Sequence, residues 1–239
     1  MISTGLLRCG ANTLDLNQVR PFANLPAQHP LTTAIDSFVW LADLKAAGTP
    51  KSAEAAVRLL ETWIADREVA AETAPSAILC APTRLRTCLA NGDLLLNGCD
   101  VATFEQFSDL LSRDVGTLET AVTKGTLAPV DLARALMALV LSSLVLEGCE
   151  DLGHLNETAL AAALDSAIHP DGSPVSRSRD DAIDLMRDLI PVIRMHSFLD
   201  RDVPSAMTTA RGRTMRFLKT LHIAGATFAG FGRIERPMD

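Results

Sequence analysis

From Leu31 onward, apolar residues recur every three to four positions, the spacing of one helical face, and polar residues fill the intervals. The first stripe holds Ile35, Phe38, Val39, Leu41 and Leu44; Thr32 or Thr33 can cap it, and Gly48 stops it. Thr49-Pro50 opens a second helix carrying Ala56, Leu59, Leu60, Trp63 and Ile64, with proline tolerated in the first turn. A third helix is predicted over about 82–96, with Leu85, Cys88, Leu89 and Leu95 on its face. Asp100 is placed to cap a fourth, which carries Phe104, Phe107, Leu110, Leu111 and Leu118. Pro129 and Asp131 lead into the most apolar stretch, 132–146. It is hydrophobic nearly all round, the mark of a helix buried on more than one side, and Gly148 ends it. Asn156 is placed to cap a shorter helix through Ile168. A polar loop follows over 169–180, then two helices over about 181–199 and 204–221. The tail from Gly225 loses the periodicity.

The first thirty residues are punctuated by Pro21, Pro26 and Pro30, and Leu6-Leu7 with Leu14-Asp15-Leu16 could form a short hairpin or an arm. The pattern therefore predicts an all-α protein: an irregular N-terminal arm over 1–30 and a single helical domain over 31–239, with eight or nine helices joined by short turns. Short turns make successive helices antiparallel neighbours. An open solenoid and a closed toroid of helical hairpins are both compatible with that pattern.

Composition narrows the function classes. Hydrophobic residues make up 48% of the chain, enough for a large core, so the low hydrophobicity of a disordered protein is absent. Twenty-nine acidic residues against 22 basic ones give a net charge of -7, which speaks against nucleic acid as a partner. The five cysteines form no CxxC pair, and no histidine stands at ligand spacing from one, so they read as buried thiols rather than a disulfide framework or a zinc site. No Gly-rich phosphate loop, no Gly-x-Ser-x-Gly elbow and no His/carboxylate metal cluster occurs, so no cofactor or metal is expected. No secretory leader is visible. The longest apolar run, 135–146, is interrupted by two serines and too short to span a bilayer. Cytoplasmic residence is the expectation.

Three segments taken in order carry a resemblance. The first is Ser37-Phe38-Val39-Trp40-Leu41-Ala42-Asp43-Leu44 with Trp63-Ile64. The second is Asp171-Gly172-Ser173-Pro174-Val175-Ser176-Arg177-Ser178. The third is Met215-Arg216-Phe217-Leu218 followed by Phe228-Ala229-Gly230-Phe231-Gly232. Together, over about residues 30–235, they resemble the bacterial heparinase II/III-like family of polysaccharide lyases, whose loop reads Asp-Gly-Gly-His, an aliphatic residue, then Ser-Arg-Asn-Pro. The resemblance implies an incomplete (α/α) toroid, here without the β-sandwich domain that follows it in the family. It also implies an acidic, uronate-containing polysaccharide or oligosaccharide as partner.

The family's chemistry is β-elimination. A cationic or amide group neutralises the uronate carboxylate, a base removes the C5 proton, and an acid protonates the departing O4. What the resemblance implies for this chain is Arg177 as the neutralising group, since its fork matches a carboxylate. His169 or His222 would move protons, and Asp171, Ser176, Arg179 and Arg211 would bind substrate, with Asp171 able to orient His169. The chain departs from the pattern: Pro174 stands where the family has His, Arg179 follows where the family has Pro, Ala229 stands where it has Asn, and the sequence contains no tyrosine. These departures open a second expectation, a glycan-binding or protein-interaction scaffold of the same fold that has lost catalysis. A protein partner or a separate β-domain then enters as a possible companion. Trp40 and Trp63 lie on apolar stripes and read as core residues, and the basic run Arg211, Arg213, Arg216 and Lys219 reads as a solvated helix face or a surface for an acidic glycan.

Overall fold

A computed structural model describes residues 2–3, 6–9, 12–16, 18, 20–23, 25, 30–73, 77–96 and 98–223. The protein is predominantly helical, with ten helices and a three-stranded sheet among these residues. The chain divides into two compact units, Met1–Glu119 and Thr120–Asp239.

The first unit begins with an antiparallel sheet in the order β1 (Ile2–Ser3), β2 (Leu6–Cys9), β3 (Asn12–Asp15). In β2–β3, Leu6 stands opposite Asp15 and Cys9 opposite Asn12, which is the hairpin option for this segment. Helix α1 (Pro30–Asp36) packs on β2 and β3. The stripe that promised one helix from Thr32 to Gly48 is broken. α1 stops at Asp36, Phe38 takes the left-handed conformation (φ 54°), and α2 (Trp40–Ala47) resumes until Gly48 closes it at φ 61°. Helix α3 (Pro50–Thr73) starts with a reciprocal cap: Ser52 N–H donates to Thr49 Oγ1 (3.1 Å) and Thr49 N–H to Ser52 Oγ (3.0 Å). The segment expected at 82–96 is two helices, α4 (Ala77–Ala90), with Pro82 inside it, and α5 (Gly92–Leu96). Asp100 caps α6 (Val101–Lys124) by accepting from Thr103 N–H at 2.8 Å, and that bond holds its carboxyl below the usual range.

The helix break has a cause in the core. Arg84 of α4 donates Nη1–H to the Asp36 carbonyl (2.5 Å), supplying the hydrogen bond that continued helix would have given. The same guanidinium forks onto both oxygens of Asp114 (2.7 and 2.5 Å). Arg67 forks onto Asp36 (2.8 and 2.9 Å), which also accepts from Trp63 Nε1 at 3.0 Å. All four charged residues are at most 4% exposed. Two aromatic rings flank one of them: Arg84 lies 5.3 Å from the Trp63 ring and 5.9 Å from the Phe38 ring, and Phe38 meets Trp63 edge to face. Burial opposes the Arg84 charge, but the hydrogen bond and charge of Asp114 outweigh it, so the guanidinium is held more firmly protonated than usual.

The second unit is built on α7 (Pro129–Val145), α8 (Leu152–Ala167), α9 (Arg179–Phe198) and α10 (Ser205–Ile223). α7 packs against α8 and α9, and α10 against α9 and α8. The all-round apolarity of α7 is used: its buried residues run unbroken from Ala135 to Ser143. Gly153 of α8 sits so close to α7 that a Cβ there would lie 3.1 Å from Ser143 Oγ. α8 starts one turn before Asn156, which falls inside the helix. Arg134 of α7 reaches Asp188 of α9 at 2.6 Å, an ion pair largely withdrawn from water.

Candidate functional site

The loop that carries the resemblance lies between α8 and α9, and its backbone is tied at both ends. Ile168 and Pro174 form an isolated antiparallel bridge. Val175 N–H donates to the Ala167 carbonyl (2.9 Å), His169 N–H to the Ser173 carbonyl (2.9 Å), and Gly172 N–H to the His169 carbonyl (2.8 Å). Gly172 is required by sterics. It has φ 88° and rests against α10, where any Cβ would overlap the Arg213 carbonyl. The loop is therefore a clasp whose base, Gly172 to Pro174, is buried.

The charged residues stand on the outer side of that base. Asp171 Oδ1 accepts from both the Ser173 N–H (2.9 Å) and the Ser173 hydroxyl (2.7 Å). Arg177 Nη1 donates to Ser173 Oγ at 2.8 Å and to Asp171 Oδ2 at 3.1 Å. The Asp171 and Arg177 side chains are 59% and 61% exposed, whereas Ser173 is wholly buried. Ser173, first of all, and then Arg177 hold the Asp171 carboxyl down at about 2. Arg177 itself has φ 56°, the left-handed region, and its N–H donates to the Pro174 carbonyl. Both of its side-chain contacts use Nη1. The edge formed by Nε and Nη2 makes no hydrogen bond to the described residues.

The remaining expected site residues are placed less closely. Ser176 Oγ accepts from Ser178 N–H (3.3 Å), and Ser178 in turn caps α9 through Asp181 N–H (3.2 Å). Arg179 is the first residue of α9 and is partly buried. His169 is half-buried beside the clasp, while Asp171 bonds Ser173 and Arg177 in the hydrogen bonds described above. Arg211 is exposed on α10, two residues before the point where Gly172 touches that helix. His222 lies near the end of α10; its side chain, and Phe228 to Gly232 of the third segment, fall outside the described residues. Helix α10 carries Arg211, Arg213, Arg216 and Lys219 and no acidic residue. Arg213 meets Asp165 of α8 at 3.3 Å.

Reading the sequence missed two features. The buried set Asp36, Arg67, Arg84 and Asp114 was visible as charges on apolar stripes: Arg84 beside Leu85, and Asp114 three residues after Leu111 and four before Leu118. A cleft of about 20 Å³ bordered by Trp63, Arg84, Asp114 and Thr117 adjoins it, room for roughly one water and not for a sugar. The second feature is His196 of α9, 2% exposed, whose ring nitrogens make no hydrogen bond among the described residues, with Glu157 Oε1 3.5 Å from Nε2. Among the described residues no group of three His, Cys, Asp or Glu could hold a metal ion, and no helix is long and apolar enough to cross a membrane. Compared with known protein families, with curated proteins and with solved structures, the chain matches none.

Proposed function

We propose that the chain is a heparinase II/III-like helical module, an incomplete (α/α) toroid, that recognises a uronate-bearing acidic polysaccharide through Arg177 without cleaving it. The observation that carries the reading is the clasp. A tethered, partly buried loop holds one exposed guanidinium, with the Nε–Nη2 edge of its fork making no hydrogen bond among the described residues. Such an edge suits bidentate capture of a carboxylate. Arg211 and the acid-free surface of α10 extend a positive field beside it, in a chain whose net charge is -7.

Turnover needs more than capture. A base and an acid must stand within hydrogen-bond reach of C5 and O4. Tyrosine is absent from the sequence, Pro174 occupies the position of the family histidine, and His169 is the histidine of the clasp itself. Those substitutions favour binding over elimination. The test pairs two measurements on the full chain with heparan, hyaluronan and alginate oligosaccharides: calorimetric affinity, and the ultraviolet absorbance of an unsaturated uronate product. Binding that Arg177→Met abolishes, with no absorbance gained, is expected. Product formation would make the chain a lyase, with His169 and His222 as the proton carriers to mutate next. Absence of affinity for every oligosaccharide would leave a protein-interaction scaffold and end the glycan reading.

A further inference from the structure

Helix α10 shows the solvent a row of cations that meets no carboxylate of its own helix. Each of α7, α8 and α9 carries at least one acidic residue, and α9 carries four; α10 carries none. Of its basic side chains, Arg213 pairs with Asp165 at 3.3 Å. Arg211, Arg216 and Lys219 are exposed and make no side-chain hydrogen bond or ion pair among the described residues. We propose that this row is a binding tract for the acidic polysaccharide, so that the protein selects an extended chain of uronates over a single sugar. The inference rests on the binding reading above and adds to it a second contact surface and a length requirement.

Helix geometry sets the row. Residues four apart are neighbours on a helix surface, so Arg211, Met215 and Lys219 form a ladder. At ~1.5 Å of rise per residue, its charged ends stand about 12 Å apart along the axis. Arg216 lies three positions before Lys219 and widens the row. On the other side of the helix Met207, Ala210 and Thr214 are buried, so the row faces away from the core of the unit. Met215, 39% exposed, lies between the charges and offers a soft apolar floor to the C–H face of a pyranose. Within the helix Arg216 and Lys219 repel, and no carboxylate of α10 relieves them. A monosaccharide bears one carboxylate and meets one cation at a time. A chain with a carboxylate at every repeat meets several, because each contact after the first is intramolecular. The clasp touches this same helix: Gly172 rests against the Arg213 carbonyl, which ties the loop of Arg177 to the helix of the tract.

The probes are a hyaluronan decasaccharide, titrated into the full chain by calorimetry, and the hyaluronan disaccharide, titrated by nuclear magnetic resonance. The decasaccharide is expected to bind more tightly than the disaccharide by more than its number of repeats. Arg216→Gln with Lys219→Gln should weaken the decasaccharide about three- to tenfold, the range of two exposed ion pairs, and leave the disaccharide unchanged. Lys51→Gln with Arg58→Gln removes the same two charges from exposed positions of α3 and should cost less than twofold. Exchanging the pair, Arg216→Lys with Lys219→Arg, keeps both charges and should keep the affinity. A decasaccharide no tighter than its repeats account for, or none bound at all, overturns the tract. So does a neutral result for the α10 double glutamine variant, or an equal loss from the α3 variant, which would leave net charge alone as the cause. The two readings fail separately. Decasaccharide binding that Arg177→Met abolishes and the α10 variant leaves unchanged would refute the tract alone. Binding that the α10 variant weakens and Arg177→Met does not would keep the tract and refute the clasp as the recognition site.

Discussion

Removing the Asp114 charge should unfold the first unit more readily than any surface change. Asp114→Asn keeps the side-chain shape but presents one oxygen and one N–H₂ group to a guanidinium that needs two acceptors. Arg84 then retains its bond to the Asp36 carbonyl and its aromatic neighbours, yet it is 4% exposed and cannot turn to water. Stranding one partner of a buried ion pair costs about 3–5 kcal/mol. Against a typical domain stability of about 5–15 kcal/mol, that is roughly a fifth of the whole or more. The companion variant carries Arg84→Met and Asp114→Leu together. It removes both charges; the Asp36 carbonyl then loses its arginine donor, a deficit of about 1–3 kcal/mol. The double variant should therefore be more stable than Asp114→Asn alone. Urea unfolding followed by tryptophan fluorescence reads the right unit, because both tryptophans, Trp40 and Trp63, lie within Met1–Glu119, and Trp63 is the ring beside Arg84. A loss below about 1 kcal/mol for Asp114→Asn, or a double variant no better than the single, would refute the claim that these charges are held as a mutually dependent buried set.

Three further outcomes are expected. Burial lowers the His196 pKa, with Glu157 opposing and Arg201 assisting. The folded state thus binds this proton less readily than the unfolded one, so the contribution is complete above about 6.5 and fades as pH falls below it. Melting curves of the unaltered chain and of His196→Phe should diverge below pH 6.5, and parallel curves down to the folded-state titration would refute this. Gly172→Ala, at a left-handed position against the Arg213 carbonyl, should destabilise the second unit by at least about 2 kcal/mol in denaturant unfolding, and a neutral result would mean the clasp does not rest on α10. Burial raises the thiol pKa of Cys80 and Cys88, so mass spectrometry after brief iodoacetamide treatment of native protein should find Cys99 and Cys149 modified before Cys80 and Cys88.

Helix content was legible wherever the local signals agreed, and the failures have physical reasons in single residues. In α6 a capping residue at the start and a continuous apolar face point one way, in α7 a leading Pro, an apolar run and a following glycine do, and both helices form where the pattern put them. The stripe through Phe38 misled because periodicity records which residues are buried and not which hydrogen bonds the backbone makes. Phe38 is buried as the stripe requires, but it reaches Trp40 and Trp63 from a left-handed turn, and the Asp36 carbonyl is satisfied by an arginine forty-eight positions away. No local pattern could announce that donor. Its one trace was a charge lodged among Leu85 and Cys88, on a face where water is excluded. The clasp shows the converse. Its residue types were conspicuous in the sequence as candidate chemistry, and the structure gives Asp171 and Arg177 to each other through Ser173, a residue whose short hydroxyl carried no signal of its own. A motif of charged residues in a loop thus fixes which groups are present, while the buried residue between them decides whether those groups face a ligand or one another. Changing Ser173 to Ala should loosen the pair even though it leaves both charges in place, since Arg177 would lose its shorter bond and Asp171 one of its two caps. A faster exchange of the Arg177 side-chain N–H protons in that variant is the expected sign, and unchanged exchange would mean that the ion pair orders itself without the serine.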